Sequence, residues 1–343
     1  MTSKVNPRAF ADEWRYKDAS ELNFAEKLMK KRNLIPKSSR YVNYPQHKGK
    51  VPAYYEHYQY LHVLHFAVAI PLIRWSFTKL TGWNIHPIAM HFLFIAVLYN
   101  LFGSVGDHLN KLALKFGYLD GKAPRDTLPR ELVPMMFKEM IIGLNLRAGM
   151  LVLLAYDRNA PIQLSWWLPV QLAVMSITAD FIYYWAHRAT HEVGSLWYLH
   201  RRHHTTKHPN FLFLSFADEP QEIFDAIAAP AIMYMLYPVS FDTFSIWLVL
   251  MLYIESMGHS GLRMYYPAII ASPFLRPFKL ELIVEDHDLH HREGWQKSFN
   301  YAKQSLLWDT LFGTTRPRIE TGHENVEWDL NHYQWLAKHG TSS

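Results

Sequence analysis

Six apolar stretches follow one another through the middle of the chain: Leu61–Phe77, Pro87–Val105, Val133–Tyr156, Leu164–Trp185, Ile223–Tyr237 and Phe241–Met257. A helix that crosses a bilayer needs about 20 apolar residues, within a range of about 17–25. One such stretch alone also suits a buried helix of a soluble protein. Six in succession, separated by short polar turns, predict an all-α integral-membrane bundle. Arg74 interrupts the first stretch, and Lys138, Glu139 and Arg147 weaken the third. The last two are short enough to form a re-entrant hairpin, so the expected count is four spans plus that hairpin, or six. The mean hydropathy of the whole chain is only −0.12, because the apolar stretches are averaged with long basic segments. Trp and Tyr crowd the stretch ends (Trp75, Trp83, Trp166, Trp167, Tyr183, Tyr184, Trp185) as interfacial anchors do.

The polar segments set an orientation. Residues 1–58 hold twelve Lys or Arg, among them Lys4, Arg8, Lys30, Lys31 and Arg40, against six acids. The loops at Gly82–Pro87, Asp157–Pro161 and Pro238–Ser240 are short and nearly uncharged, whereas Lys111–Arg130, Arg188–Lys207 and Arg263–Arg318 are long and basic. By the positive-inside rule the basic segments and both termini are expected in the cytosol. This gives a basic N-terminal segment at 1–58, a membrane-embedded domain at 59–316 and a C-terminal tail at 317–343. No apolar core follows the first methionine, so a cleavable signal peptide is not expected. Basic clusters also invite a nucleic-acid reading, but no base-reading motif accompanies them, and no nucleic-acid partner is expected.

Histidine is the other anomaly. The 343 residues contain 20 His and no Cys, which excludes thiolate metal sites, a cysteine nucleophile and a redox pair. Eight of the histidines fall in three clusters: His187 and His191; His200, His203 and His204; His287, His290 and His291. Residues three and four apart share a helix face, so each cluster is expected to point its rings one way if it is helical. Eight imidazoles exceed the three or four ligands of a zinc site, and no His-Glu-x-x-His occurs. Two metals with about four imidazoles each fit the count, and imidazole alone does not name the metal. Isolated histidines such as His62, His65 and His91 read as core or interfacial residues. His208, just after the second cluster, has the wrong spacing for a ligand and reads as substrate-side or structural.

His-x3-His, His-x2-His-His and a second His-x2-His-His set among apolar helices resemble the fatty acid hydroxylase/sterol desaturase superfamily. The resemblance runs from about Val133 to Thr315. Tyr184-Trp185-Ala186-His187-Arg188 resembles the family's first histidine box. Gly258-His259-Ser260-Gly261 resembles the stretch that supplies a further ligand, His259. Asn300-Tyr301 and Trp308 to Thr314 resemble its closing segment. The resemblance implies a non-haem di-iron oxygenase of the endoplasmic reticulum membrane, holding two iron ions, with zinc as a substitute in a purified sample. It implies a lipid, sterol or other long apolar substrate. Electrons would come from NAD(P)H through cytochrome b5 and its reductase, and without a His-Pro-Gly-Gly motif that donor is expected to be separate. Where some relatives carry a second histidine before the one matching His259, this chain has Glu255, a candidate to bind a metal or to orient His259. Glu219 and Glu222 stand where some relatives keep a supporting acid. Asp180, two turns before His187, is a candidate support for the cluster or a buried acid paired with a Lys or Arg. Hydroxylation and desaturation share this ligand set. A membrane metal transporter or metal-binding protein is the reading from another class.

Overall fold

The computed structural model describes residues 12–37, 39, 41–121 and 123–340; the basic residues Lys4, Arg8 and Arg40 lie outside them. In order, the chain forms α1 (Phe24–Lys31), β1 (Val51–Ala53), α2 (Glu56–Ala67), α3 (Ala69–Thr81), α4 (Pro87–Phe116), α5 (Val133–Ala155), α6 (Leu168–Glu192), α7 (Glu219–Ile223), α8 (Ala229–Leu236), α9 (Phe241–Gly258), α10 (Ser272–Leu275), α11 (Val284–Arg292), α12 (Leu307–Leu311), β2 (Val326–Asn331) and α13 (His332–His339). It is an all-α bundle. The one two-stranded sheet among the described residues pairs β1 with β2 in parallel.

Among the described residues, three helical segments are long and apolar enough to cross a membrane: Glu56–Thr81, Pro87–Phe116 and Phe241–Gly258. The first joins α2 and α3 through a slight break at Val68. α4 starts at Pro87, where His86 caps the helix by accepting from the Ile88 amide at 3.2 Å. It continues well beyond the expected Val105 and stops at Gly117, whose φ of +71° suits glycine. A side chain there would also run into the Pro45 carbonyl.

By length and composition these candidates number three, against the four or six spans expected. α5 and α6 have 23 and 25 residues, but charged side chains along them lower their hydropathy. α8 has only 8 residues, too short to cross a bilayer. α9, expected as half of a hairpin, is instead the central post of the bundle: all of its 18 residues except Met251 and Glu255 are buried. A helix apolar all round belongs inside. It packs against α2, α3, α4, α5, α6 and α11. Arg74, the interruption in the first apolar stretch, meets Asp242 in the first turn of α9 at 2.7 Å, with both side chains buried. Outside this core, Leu61, Leu72, Leu80, Trp83, Leu153, Trp166 and Trp167 stay exposed, as apolar side chains facing lipid do in a membrane bundle.

The terminal segments pack onto this body. Trp14, Leu22, Met29, Leu34 and Ile35 join the main core, and so does Trp335 of α13. The Trp14 indole donates to the Leu128 carbonyl at 2.8 Å.

Candidate metal centre

The C-terminal end of α6, the turns after it, the end of α9 and the whole of α11 converge on one buried volume. α6 delivers His187 and His191 from adjacent turns, and α11 delivers His287, His290 and His291. The segment between α6 and α7 is not the continuous α-helix expected: it runs as 3-10 turns over Gly194–Leu199 and His203–Thr205. His259 follows the last residue of α9.

The nine rings divide into two groups, His187, His191, His200, His204 and His290 in one and His203, His259, His287 and His291 in the other. The near-shared ring direction expected within each triad is therefore corrected. Residues four apart stay together (187/191, 200/204, 287/291). The residue three along (His203, His290) turns to the other group. At 3.6 residues per turn, i+4 leads i by about 40° and i+3 trails it by about 60°, so the His-x2-His-His of α11 straddles two centres. The 3-10 turns after α6 divide the other His-x2-His-His in the same way.

Each group brings ring nitrogens together. His187 Nε2 lies 2.8 Å from His200 Nε2, His204 Nε2 lies 3.1 Å from His200 Nε2, and His290 Nε2 lies 2.9 Å from His204 Nε2. In the other group His259 Nε2 is 3.3 Å from His203 Nε2 and 3.0 Å from His287 Nε2. The opposite ring nitrogens explain these contacts. His187 Nδ1 donates to the Tyr301 carbonyl at 2.6 Å and His290 Nδ1 to Phe299 at 2.6 Å. His191 donates to Trp295 at 2.9 Å, His203 to Phe216 at 3.3 Å, His259 to Glu255 at 2.8 Å and His291 to Thr206 at 3.1 Å. A carbonyl oxygen only accepts, so in these six rings Nδ1 carries the proton and Nε2 a lone pair. His200 Nδ1 lies 2.8 Å from Oε1 of Gln221. Nε2 pairs such as those of His187 with His200 and His203 with His259 then face lone pair to lone pair and cannot hydrogen-bond each other. Nε2 of His191 and His291 has no partner at all. An electron-pair acceptor at each centre satisfies these atoms, and neutral imidazoles held by carbonyls are the usual second layer of a metal site.

Protonation is not the alternative. Burial, reinforced by the neighbouring imidazoles, holds His203, His204, His287, His290 and His291 well below the ordinary value of 6.5. Below about pH 6.5 the unfolded chain binds protons that these folded rings refuse, so stability falls as pH drops. Metal-free protein is therefore expected to melt at progressively lower temperature from pH 7 to pH 5, with bound metal suppressing the loss. Melts followed by circular dichroism with and without metal check this.

The candidate acids lie outside both groups. Asp180 does not pair with a Lys or Arg. It accepts from the amides of Lys303 and Gln304 at 2.7 and 2.8 Å and from Ser305 Oγ at 2.7 Å. It thereby anchors the segment whose Tyr301 carbonyl holds His187. Glu222 and Glu255 both face Arg147, at 3.0 and 3.4 Å. Glu255 serves His259 through its backbone carbonyl, not its carboxylate. Glu219 has no part in either group. His208 pairs with Asp120 at 3.1 Å, a structural contact, and His62 stacks on His108. Three further contributors are not among the site residues expected from the sequence. Gln221 sits against His200. Asp309 accepts from the amides of Tyr301 and Ala302 at 2.8 and 2.9 Å. Asp288, within the third cluster, pairs with buried Arg125.

Fold and site together define a membrane-helix protein with two adjoining, buried, all-histidine centres suited to metal. Residues 172–314 match the family described as fatty acid hydroxylase. The fatty acid hydroxylase vlmA of a Lecanicillium species is 44% identical over 233 residues, covering 64% of this chain and 64% of that protein. A methylsterol monooxygenase of Arabidopsis thaliana is 32% identical over 161 residues, covering 45% of this chain and 56% of its own. An alkylglycerol monooxygenase of Caenorhabditis elegans is 25% identical over 206 residues, 58% of this chain and 37% of its own. The chain thus spans under two thirds of the length of these relatives. No solved structure matches it. Over residues 172–314 the chain is similar to the fatty acid hydroxylase family.

Proposed function

We propose that this protein is a membrane-bound oxygenase that hydroxylates an unactivated C–H bond of a lipid or other long apolar substrate, using dioxygen and externally supplied electrons. The observation that carries the reading is the pair of adjoining centres built only from neutral imidazoles, with five and four rings. The relatives named above are a hydroxylase and two monooxygenases. His187, His191, His200, His204 and His290 would hold one iron, and His203, His259, His287 and His291 the other. Iron supplies the oxygen and redox chemistry when bound, and the protein supplies ligands, orientation and exclusion of water. Zinc would occupy the same rings without redox activity.

A cavity of about 290 Å³ opens against the five-ring group, bounded by His187, His200, Ala186, Ala189, Leu196, Leu199 and Phe224. Its walls are mostly apolar and its size lies at the lower end for small-molecule pockets, which suits one segment of a long chain rather than a whole lipid. The π-helical turn Phe224–Ala228 forms part of its rim, and such turns recur at functional sites. Asp225 on that turn meets Lys303 at 3.6 Å, so the polar end of the cavity is charge-balanced. An endoplasmic reticulum location with the histidines on the cytosolic side, and cytochrome b5 with its reductase as donor, complete the proposal. The segments 1–58 and 317–343 would form parts of that cytosolic face.

Purified protein loaded with iron and supplied with oxygen, NADH, cytochrome b5 and its reductase is expected to yield a lipid product heavier by one oxygen atom. A product lighter by two hydrogens would make it a desaturase instead. Metal flux into vesicles with no oxidised product would defeat the oxygenase reading in favour of a transporter.

A further inference from the structure

We propose that an acidic one-electron carrier docks over Trp295, and that this indole with Trp197 beneath it forms the electron entry to the five-histidine group. The proposal rests on the oxygenase reading above. Trp295 is 46% exposed, yet its carbonyl accepts from Nδ1 of His191. Its ring meets Trp197 edge-on with centroids 5.2 Å apart. Trp197 in turn lies 5.2 Å from His191 and 5.9 Å from His204. Two rings in contact therefore lead from solvent to two members of one group, alongside a route through the Trp295 backbone and a single hydrogen bond. Trp185, 43% exposed, lies two residues before His187 in α6, but its ring is linked to that histidine through two further rings, Tyr184 and Tyr301.

The charge around the indole selects the partner. The Lys207 ammonium sits 5.0 Å from the Trp295 centroid, a cation–π contact that fixes the ring. Lys297, whose carbonyl accepts from the Trp295 amide at 3.2 Å, and Arg201, whose amide donates to the Trp197 carbonyl at 2.9 Å, are both exposed. The nearby acids are already engaged: Glu293 with Arg316 at 2.7 Å and Glu192 with Arg188 at 2.9 Å. A basic rim around an aromatic centre fits an acidic protein surface, with the rim steering the encounter and the indole anchoring it. The redox balance requires such a carrier. Inserting one atom of dioxygen into a C–H bond and reducing the other to water consumes two electrons and two protons, so a haem carrier of the cytochrome b5 kind must visit twice.

The full chain in detergent or nanodiscs, with the soluble haem domain of cytochrome b5, its reductase and NADH, provides the test. Trp295→Ala is expected to lower carrier-supported product formation by at least about tenfold, the size of a hot-spot truncation. In Lys297→Glu, single-turnover product driven by dithionite and iron content should stay within about twofold of the parent while carrier-supported product falls, and Trp295→Phe should recover most of the Trp295→Ala loss. Lys297→Glu should weaken association of the haem domain with metal-free protein, an effect that salt abolishes. The proposal is overturned if both variants leave carrier-supported turnover and association unchanged. It is equally overturned if dithionite-driven product falls in parallel, if Trp185→Ala produces the loss instead, or if Trp295→Ala only reduces retention in vesicles. Absence of product from the parent protein with every reductant would defeat the oxygenase reading, while the association measurement would still decide the docking surface.

Discussion

Alanine at His290 is expected to weaken metal binding at the five-histidine centre and to lower oxygenase turnover by about 10- to 100-fold, the range for losing even an outer-layer group of a metal site. His290 is fully buried, points Nε2 at His204 from 2.9 Å and is aimed by the Phe299 carbonyl at 2.6 Å. Its ring also lies 4.6 Å from that of His187, so it joins α11 to α6 at the centre. Removing it takes one lone pair from the set and opens a space that water enters. Four rings remain in that set and the four-histidine centre keeps all of its own, so metal per chain should fall by at most about half. Thermal stabilisation by added metal should shrink in step, because a ligand that binds only the folded state contributes about 4 kcal/mol at 1,000 times its Kd. His208→Ala is the control: that ring is tied to Asp120, and iron content should not change. Metal analysis, melts and product assays together read the result. Unchanged iron in His290→Ala would remove the ring from the site.

The nine rings were legible in the chain because their spacing is an arithmetic property of helices, and the resemblance added His259. The partition was not. It depends on the angle between i+3 and i+4 at two separate places, and the second cluster is not an α-helix at all. The aiming groups were invisible for a simpler reason. Six of them are backbone carbonyls, which every residue carries, so nothing in a sequence marks the carbonyls of Tyr301, Phe299, Trp295, Phe216, Glu255 or Thr206, even though Tyr301 and Glu255 stand out for other reasons. Gln221 and Asp309 carry side chains of ordinary type in ordinary surroundings. The apolar stretches announced a membrane bundle, but hydropathy does not say which helix faces lipid and which stands in the middle. α9 reads like a span and is wrapped by six other helices. Its burial is set by where the neighbours go.

Arg147 carries the second large effect, and it also decides what Glu255 does. The guanidinium is buried in α5 and bridges two acids, donating to Glu222 of α7 at 3.0 Å and to Glu255 of α9 at 3.4 Å, with the Gly143 carbonyl as a further acceptor at 3.2 Å. Gly143 belongs to the same design, since a side chain there would strike the Glu222 carboxylate. Arg147→Ala leaves buried Glu222 and partly buried Glu255 without their shared guanidinium, a loss of about 3–5 kcal/mol. Arg147→Lys should recover only part of it, because one ammonium does not reproduce a planar fork spanning two partners. Arg147→Met combined with Glu222→Gln and Glu255→Gln should restore most of the stability, as neutral replacement of a buried ion network commonly does. The same variants separate the two roles open to Glu255. If its carboxylate only balances Arg147, Glu255→Gln keeps the backbone carbonyl that aims His259 and retains full metal content. A carboxylate that bound metal would take metal with it on replacement. The geometry favours the first outcome, because the oxygen that reaches the site is the one mutation cannot remove.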